Sequence, residues 1–146
     1  MMKVRVAYMT YLGNNQKAAE ALRDELSDRY EVDLVSISEG ASGSGGADLV
    51  VVCSPVRMGN LVRKSRRFLK SLAKEGGLKY ALVVTHASEL TDEKFNPIKP
   101  TKKWMAILDE AGNRLISEPL YLQVTDIKGS LKEGYEQKIE QFASNL

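Results

Sequence analysis

Short apolar runs alternate with amphipathic helical patterns along the whole chain, and this alternation narrows the possible folds more than any other feature of the sequence. Parallel strands need crossover connections long enough to hold a helix, whereas an antiparallel sheet would show tight turns between successive runs. Val4–Met9 reads as a first strand, Asn15–Arg29 as a helix with Ala18, Ala19, Leu22 and Leu26 on one stripe, and Val32–Ile37 as a second strand. Leu49–Cys53 is the most continuous β-branched run, which predicts a central strand buried on both faces. A helix from Leu61 to Lys74 follows, stopped by Gly76 and Gly77. Tyr80–Thr85 reads as a fourth strand, Thr101–Ala111 as a helix ended by Gly112, and Leu120–Val124 as a shorter fifth strand. Ser130 and Glu133 have the spacing of a capping box ahead of a last helix with Leu131, Tyr135, Ile139 and Phe142 on one face. Two segments break the alternation. Gly40–Gly46, G-A-S-G-S-G-G, is expected to be a flexible loop standing in for a lost or shortened second helix. Glu89–Lys99 is a polar connection without periodicity, of a length that often carries function.

With 146 residues the chain is expected to form one domain, residues 1–146, and to bury roughly 70% of its unfolded surface without staples. The single Cys53 cannot form an intramolecular disulfide and reads as core filler. Lys3 and Arg5 interrupt any signal-peptide apolar region, and no run approaches the ~18 apolar residues of a membrane span, so a cytoplasmic protein without a membrane span is expected. A net charge of +2 is too small to argue for nucleic acid, and no nucleic-acid partner is expected.

Chemistry concentrates where the first strand ends. The run V-R-V-A-Y-M-T-Y-L-G-N-N stops at a Gly/Asn turn that opens directly into a helix, where unpaired backbone N–H groups and the helix dipole favour an anion. Neither G-x-G-x-x-G nor G-x-x-x-x-G-K-[ST] occurs, which removes the fingerprints of dinucleotide and P-loop NTPase sites and leaves a mononucleotide. A tyrosine phosphatase loop needs an Arg six positions after its Cys, where Cys53 is followed by Gly59. A receiver domain needs acidic residues where this chain has Met9, Thr10, Cys53 and Ser54. One His and one Cys cannot supply the nitrogen and sulfur ligands of a zinc site, so no metal is expected.

Three segments taken together resemble the flavin loops of flavodoxin-like proteins. They are T-Y-L-G-N-N after the first strand, S-P-V-R-M-G-N after the central strand and T-H-A-S-E after the fourth. The second is similar to the S-P-[VI]-Y-x-G loop of flavodoxin-domain oxidoreductases. The resemblance covers nearly the whole chain and implies an α/β, flavodoxin-like three-layer α-β-α sandwich. Its five-stranded parallel sheet would have the order 2-1-3-4-5, in the short form without the insertion that splits the last strand of longer members. It also implies FMN, bound at the carboxyl ends of strands one, three and four. The cofactor-binding residues it implies are Thr10, Tyr11, Leu12, Gly13, Asn14 and Asn15 in the first loop, and Ser54, Pro55, Val56, Arg57, Met58 and Gly59 in the second. Thr85, His86, Ala87 and Ser88 complete the set, and no catalytic residue is implied.

The departures from the family pattern are specific. The family phosphate loop reads [ST]-x-[ST]-G-[NT]-[ST]; Thr10, Gly13 and Asn14 match it, Leu12 has no donor, and Asn15 offers an amide in place of a hydroxyl. Arg57 and Met58 stand where an aromatic ring often lies against the isoalloxazine; a guanidinium plane can stack on a flavin, and read alone Arg57 is a solvated loop charge. Gly59 matches the position whose peptide flips beside the flavin N5, and otherwise it is a turn residue. His86 is expected to be an exposed loop histidine rather than an acid or base, Trp104 to pack on its helix, and Tyr11 or Phe95 to cover the ring.

Arg63, Arg66, Arg67, Lys70 and Lys74 fall on one face of the helix from Leu61 to Lys74, opposite Leu61, Phe68, Leu69 and Leu72. Such a face is either an ordinary solvated surface or a steering patch for an acidic redox partner or an anionic substrate. The resemblance thus implies an FMN-binding redox protein, either an electron carrier or an FMN-dependent oxidoreductase. Its partner would be a redox protein, acidic in the steering reading, or a small-molecule electron donor or acceptor. The other reading is a binding module that keeps the fold and has lost tight flavin binding.

Overall fold

The structure is a computed structural model that describes residues 2–126 and 128–146. Its elements are β1 (Lys3–Tyr8), α1 (Asn14–Leu26), β2 (Glu31–Ser36), a 3₁₀ turn (Ile37–Glu39), β3 (Leu49–Arg57), β4 (Asn60–Leu61) and α2 (Arg63–Glu75). They continue with β5 (Lys79–His86), α3 (Ile98–Glu110), β6 (Arg114–Leu115), β7 (Leu120–Gln123) and α4 (Tyr135–Ser144).

Inward-facing residues alternate along the strands with period two, so each strand feeds both layers. Val4, Val6, Leu49, Val51 and Cys53 pack towards α1 and α4 with Leu22, Leu26, Ile139 and Phe142. Ala7, Val50, Val52 and Leu82 pack towards α2 and α3 with Phe68, Leu69, Leu72, Trp104 and Leu108. Full burial of each such aliphatic side chain contributes about 1.5–3 kcal/mol, which is why a strand as apolar as β3 sits in the middle. The sheet runs β2-β1-β3-β5 in parallel, with β6 and β7 both parallel to β5. Counting crossover strands only, this is the expected order 2-1-3-4-5.

Four expectations need correction. The last place in the sheet is not one unbroken strand: β6 pairs Lys79 and Tyr80, β7 pairs Val83 to His86, and residues 116–119, which end in Pro119, lie between them. Nor does the central strand stop at Cys53. It continues to Arg57 and folds back through β4, with Val56 opposite Leu61 and Arg57 opposite Asn60, so α2 starts at Arg63 rather than Leu61. Pro55 is tolerated in this extension because β1 has ended by then, its register reaching only Tyr8 opposite Cys53.

The third correction concerns the glycine-rich loop, which is pinned rather than free. Arg5 donates to the carbonyls of Ser42 and Gly43, Ser71 Oγ accepts from Gly43 N–H at 2.9 Å, and Glu75 accepts from both N–H and Oγ of Ser44 at 2.7 Å. Finally, Ser130 caps no helix. Leu131 bridges Val124, the Ser130 carbonyl accepts from Thr125 N–H, and α4 begins after Gly134 instead. Backbone pairing beside β7 satisfies more polar groups than one side-chain cap would.

Candidate functional site

β1, β3 and β5 are parallel neighbours, so their carboxyl ends converge at one edge of the sheet. A cleft of about 460 Å³ opens there, within the roughly 300–1,000 Å³ range of ligand pockets. Its lining brings together Thr10, Tyr11, Leu12, Asn14 and Asn15 from the first segment, Pro55, Val56, Arg57 and Met58 from the second, and Thr85, His86, Ala87 and Ser88 from the third. Three sequence-derived residues do not line it. Gly13 sits behind the first loop as the N-cap of α1, with φ 90°. Ser54 is buried and donates to Ser65 Oγ at 2.6 Å, which ties β3 to α2. Gly59 turns away, and a Cβ there would lie 3.2 Å from the Lys94 carbonyl. Two residues complete the wall, Phe95 and Val124. Val124 carried no signal beyond ending an apolar run, and only the β7 topology brings it here.

The first loop leaves backbone donors free at the start of α1. The first backbone hydrogen bond of α1 runs from Lys17 N–H to the Gly13 carbonyl at 3.0 Å, so the amides before it are left for other partners. Thr10 Oγ1 accepts from Gly13 N–H at 2.8 Å, which closes the turn and leaves the threonine proton available to the cleft. Asn14 Nδ2 donates to the Gly129 carbonyl at 2.8 Å and anchors the loop to the segment after β7. Asn15, 2% exposed, donates from Nδ2 to Thr85 Oγ1 at 2.8 Å, yet its Oδ1 is buried with no partner. The orphan is an acceptor; turned over, the same amide would take the Thr85 hydroxyl on Oδ1 and present Nδ2 as a donor beside the helix amides.

The second loop is a two-residue hairpin. Met58 (φ 52°) and Gly59 (φ 78°) both have positive φ, the signature of a type I′ turn, and Met58 is the only non-glycine residue among the described residues with positive φ. Its side chain is 91% exposed at the cleft rim. Arg57 is no isolated loop charge: its guanidinium carbon stands 4.3 Å from the Tyr11 ring centroid and joins the first loop to the second.

His86 also departs from expectation. As the last residue of β5 it is buried, its Nδ1 lies 2.6 Å from the Ser88 carbonyl, and its ring meets Tyr121 edge-on. A carbonyl partner requires the proton on Nδ1, which leaves Nε2 as an acceptor. Burial lowers its pKa, only partly countered by the Ser88 carbonyl and Glu89, so the ring is neutral at pH 7. Burial likewise pushes the Cys53 thiol up to about 12, as befits core filler rather than a nucleophile.

The basic stripe is where the helical spacing put it, with one exception: Arg63, Arg67, Lys70 and Lys74 are exposed, whereas Arg66 is half-buried. Trp104 is buried in the α2–α3 layer.

No protein-family model matches the chain, and no curated protein matches it. Solved structures do. A short-chain flavodoxin associated with a bacterial microcompartment superposes with a TM-score of 0.79 over 100% of this chain and 97% of its own, at 22% identity. Oxidised flavodoxin 1 from Bacillus cereus gives 0.77 over 98% and 95%, at 15% identity. The Fusobacterium nucleatum flavodoxin bound to flavin mononucleotide gives 0.71 over 99% and 96%, at 12% identity. Strand order, helix layers and near-complete coverage of both chains in each comparison agree: this chain has the flavodoxin fold.

Proposed function

We propose that the cleft binds FMN and that the protein is a flavodoxin-like redox protein. The observation that carries this reading is Asn15, whose buried, half-satisfied amide stands at the free N-terminal turn of α1. A half-turn of that amide lets the Thr85 hydroxyl donate to Oδ1 and aims Nδ2 at a phosphate oxygen, together with the loop amides and the Thr10 hydroxyl. Tyr11, Met58 and Phe95 supply apolar walls for an isoalloxazine, and the backbone of Thr85–Ser88 borders its polar edge. Bound FMN would supply the one- and two-electron chemistry; the chain contributes binding, orientation and exclusion of water. Neutral His86 holds the third loop through Ser88, so its role is to position that backbone.

The contact between Arg57 and Tyr11 favours a second reading, a binding module without tight flavin, since two groups that could flank the ring already engage each other. Titration of the purified chain with FMN and with riboflavin decides between them. FMN binding at least tenfold tighter than riboflavin supports the first reading, and failure of either flavin to bind supports the second.

A further inference from the structure

The two helical layers are oppositely charged. On one face of the sheet, α2 and α3 carry nine basic and three acidic side chains, while α1 and α4 on the other carry three basic and five acidic. The overall charge of +2 hides this division. The acidic groups of the basic layer lie at its far end: Glu75 is held by Ser44, and Asp109 accepts from the Tyr80 hydroxyl. Among the described residues, none of the nine cations forms an ion pair.

Their placement runs against local helix chemistry. Arg63, Lys64 and Arg66 crowd the first turn of α2, and Lys99 and Lys102 the start of α3. Neither first turn has an acidic residue; α2 has no side-chain cap, and α3 has only the neutral Asn96, whose Oδ1 accepts from the Ile98 and Lys99 N–H groups. A helix N-terminus carries partial positive charge and prefers carboxylates there, so both helices accept an unfavourable arrangement at the same end of the molecule. Sequences break such local rules where a site requires it. That end is the cleft end: α2 follows the hairpin bearing Arg57 and Met58, and α3 follows the loop bearing Phe95.

A second observation coincides with it. The exposed large apolar side chains among the described residues are Tyr11, Leu12, Met58, Leu90 and Phe95, and all five lie in the three loops around the cleft. An apolar centre flanked by charge is the anatomy of a protein interface. A 13-residue helix is about 20 Å long, so the basic flank has the reach of a standard interface rather than of a small-anion site. Nucleic acid would match the charge but not the apolar centre.

We infer that the cleft rim with the N-terminal halves of α2 and α3 docks an acidic protein partner, one whose carboxylates surround an apolar contact. The inference deepens the flavin reading by naming the partner class, and its test needs no flavin. Calorimetry of the purified chain, with and without FMN, uses native cytochrome c, which is basic, and the same protein succinylated on its lysines, which is acidic. The succinylated form should bind at an ionic strength of about 0.01 M and weaken at least about tenfold at about 0.15 M, where the Debye length falls to about 8 Å. The native form should not bind. The double variant Arg63→Glu/Arg67→Glu should weaken succinylated cytochrome c by roughly tenfold, Lys102→Glu by less, and Lys17→Glu on α1 not at all. Circular dichroism confirms that each variant is folded. Three results overturn the proposal: no salt-dependent binding of the acidic form, equal weakening by Lys17→Glu, or tighter binding of a thymidine oligonucleotide that the same variants abolish. FMN titration of the same samples reports separately on the flavin reading, so either can fail alone.

Discussion

Replacing Asn15 with alanine separates phosphate recognition from folding. In the free protein the side chain makes one neutral hydrogen bond, to Thr85, and strands one buried acceptor, Oδ1. Removing the amide leaves the buried Thr85 hydroxyl without its partner, at about 1–3 kcal/mol, and removing the stranded acceptor returns about 1–3 kcal/mol, so the two nearly offset. The stability of the flavin-free protein in urea should therefore shift by less than about 2 kcal/mol in either direction. Binding has no such offset, because the amide supplies a hydrogen bond to a charged group worth about 1.5–3 kcal/mol. FMN affinity should fall about ten- to a hundredfold, read from quenching of flavin fluorescence, while riboflavin affinity stays within about twofold. Asn15→Asp is the companion variant: it keeps the shape, replaces a donor by a like charge, and should weaken FMN further than alanine does. Equal losses for FMN and riboflavin, or unchanged FMN affinity, would refute the assignment of Asn15 to phosphate.

Met58→Asn should raise the urea midpoint by an amount equivalent to about 1 kcal/mol, since asparagine tolerates the positive φ of the hairpin tip and the exposed methionine packs on nothing; no gain would mean the turn is unstrained. The contact between Arg57 and Tyr11 should give a coupling of about 0.5–1 kcal/mol in a double-alanine cycle on the flavin-free protein, and a zero coupling removes it. The lowered pKa of His86 makes the unfolded chain bind a proton that the folded chain refuses. Stability should thus fall as pH drops below the unfolded value of about 6.5, and His86→Gln should flatten that part of the profile; parallel profiles for parent and variant would show that His86 does not carry it.

Much of the fold was legible because the signals were local. The β-branched run of β3 and the stripe Ala18, Ala19, Leu22 and Leu26 each bury a face fixed by its own spacing, and the strand order follows from crossover rules once the elements are known. The failures were decided at long range. Whether Pro55–Arg57 is loop or strand depends on β4 folding back and on β1 ending early, neither of which the segment itself encodes. Ser130 and Glu133 spelled a cap that backbone pairing with β7 displaced. His86 looked exposed because its burial comes from Tyr121 and the turn to Ser88, and Val124 had no local mark at all. In the site, loop membership was readable from residue types, but the bonds of Asn15 to Thr85 and of Ser54 to Ser65, and the contact of Arg57 with Tyr11, join positions far apart in sequence.

The broken last strand has a use of its own. Because β6 and β7 each take their register from β5 independently, the chain between them transmits no alignment from one to the other. A connection of that kind can be lengthened with little penalty, since each doubling of a flexible loop adds only about 0.6 kcal/mol of closure entropy. Ile116 still donates to the Tyr80 carbonyl, so residues 117–119 are the natural graft point of this scaffold, where a peptide or a whole guest domain could be spliced in while both flanking segments stay seated on β5.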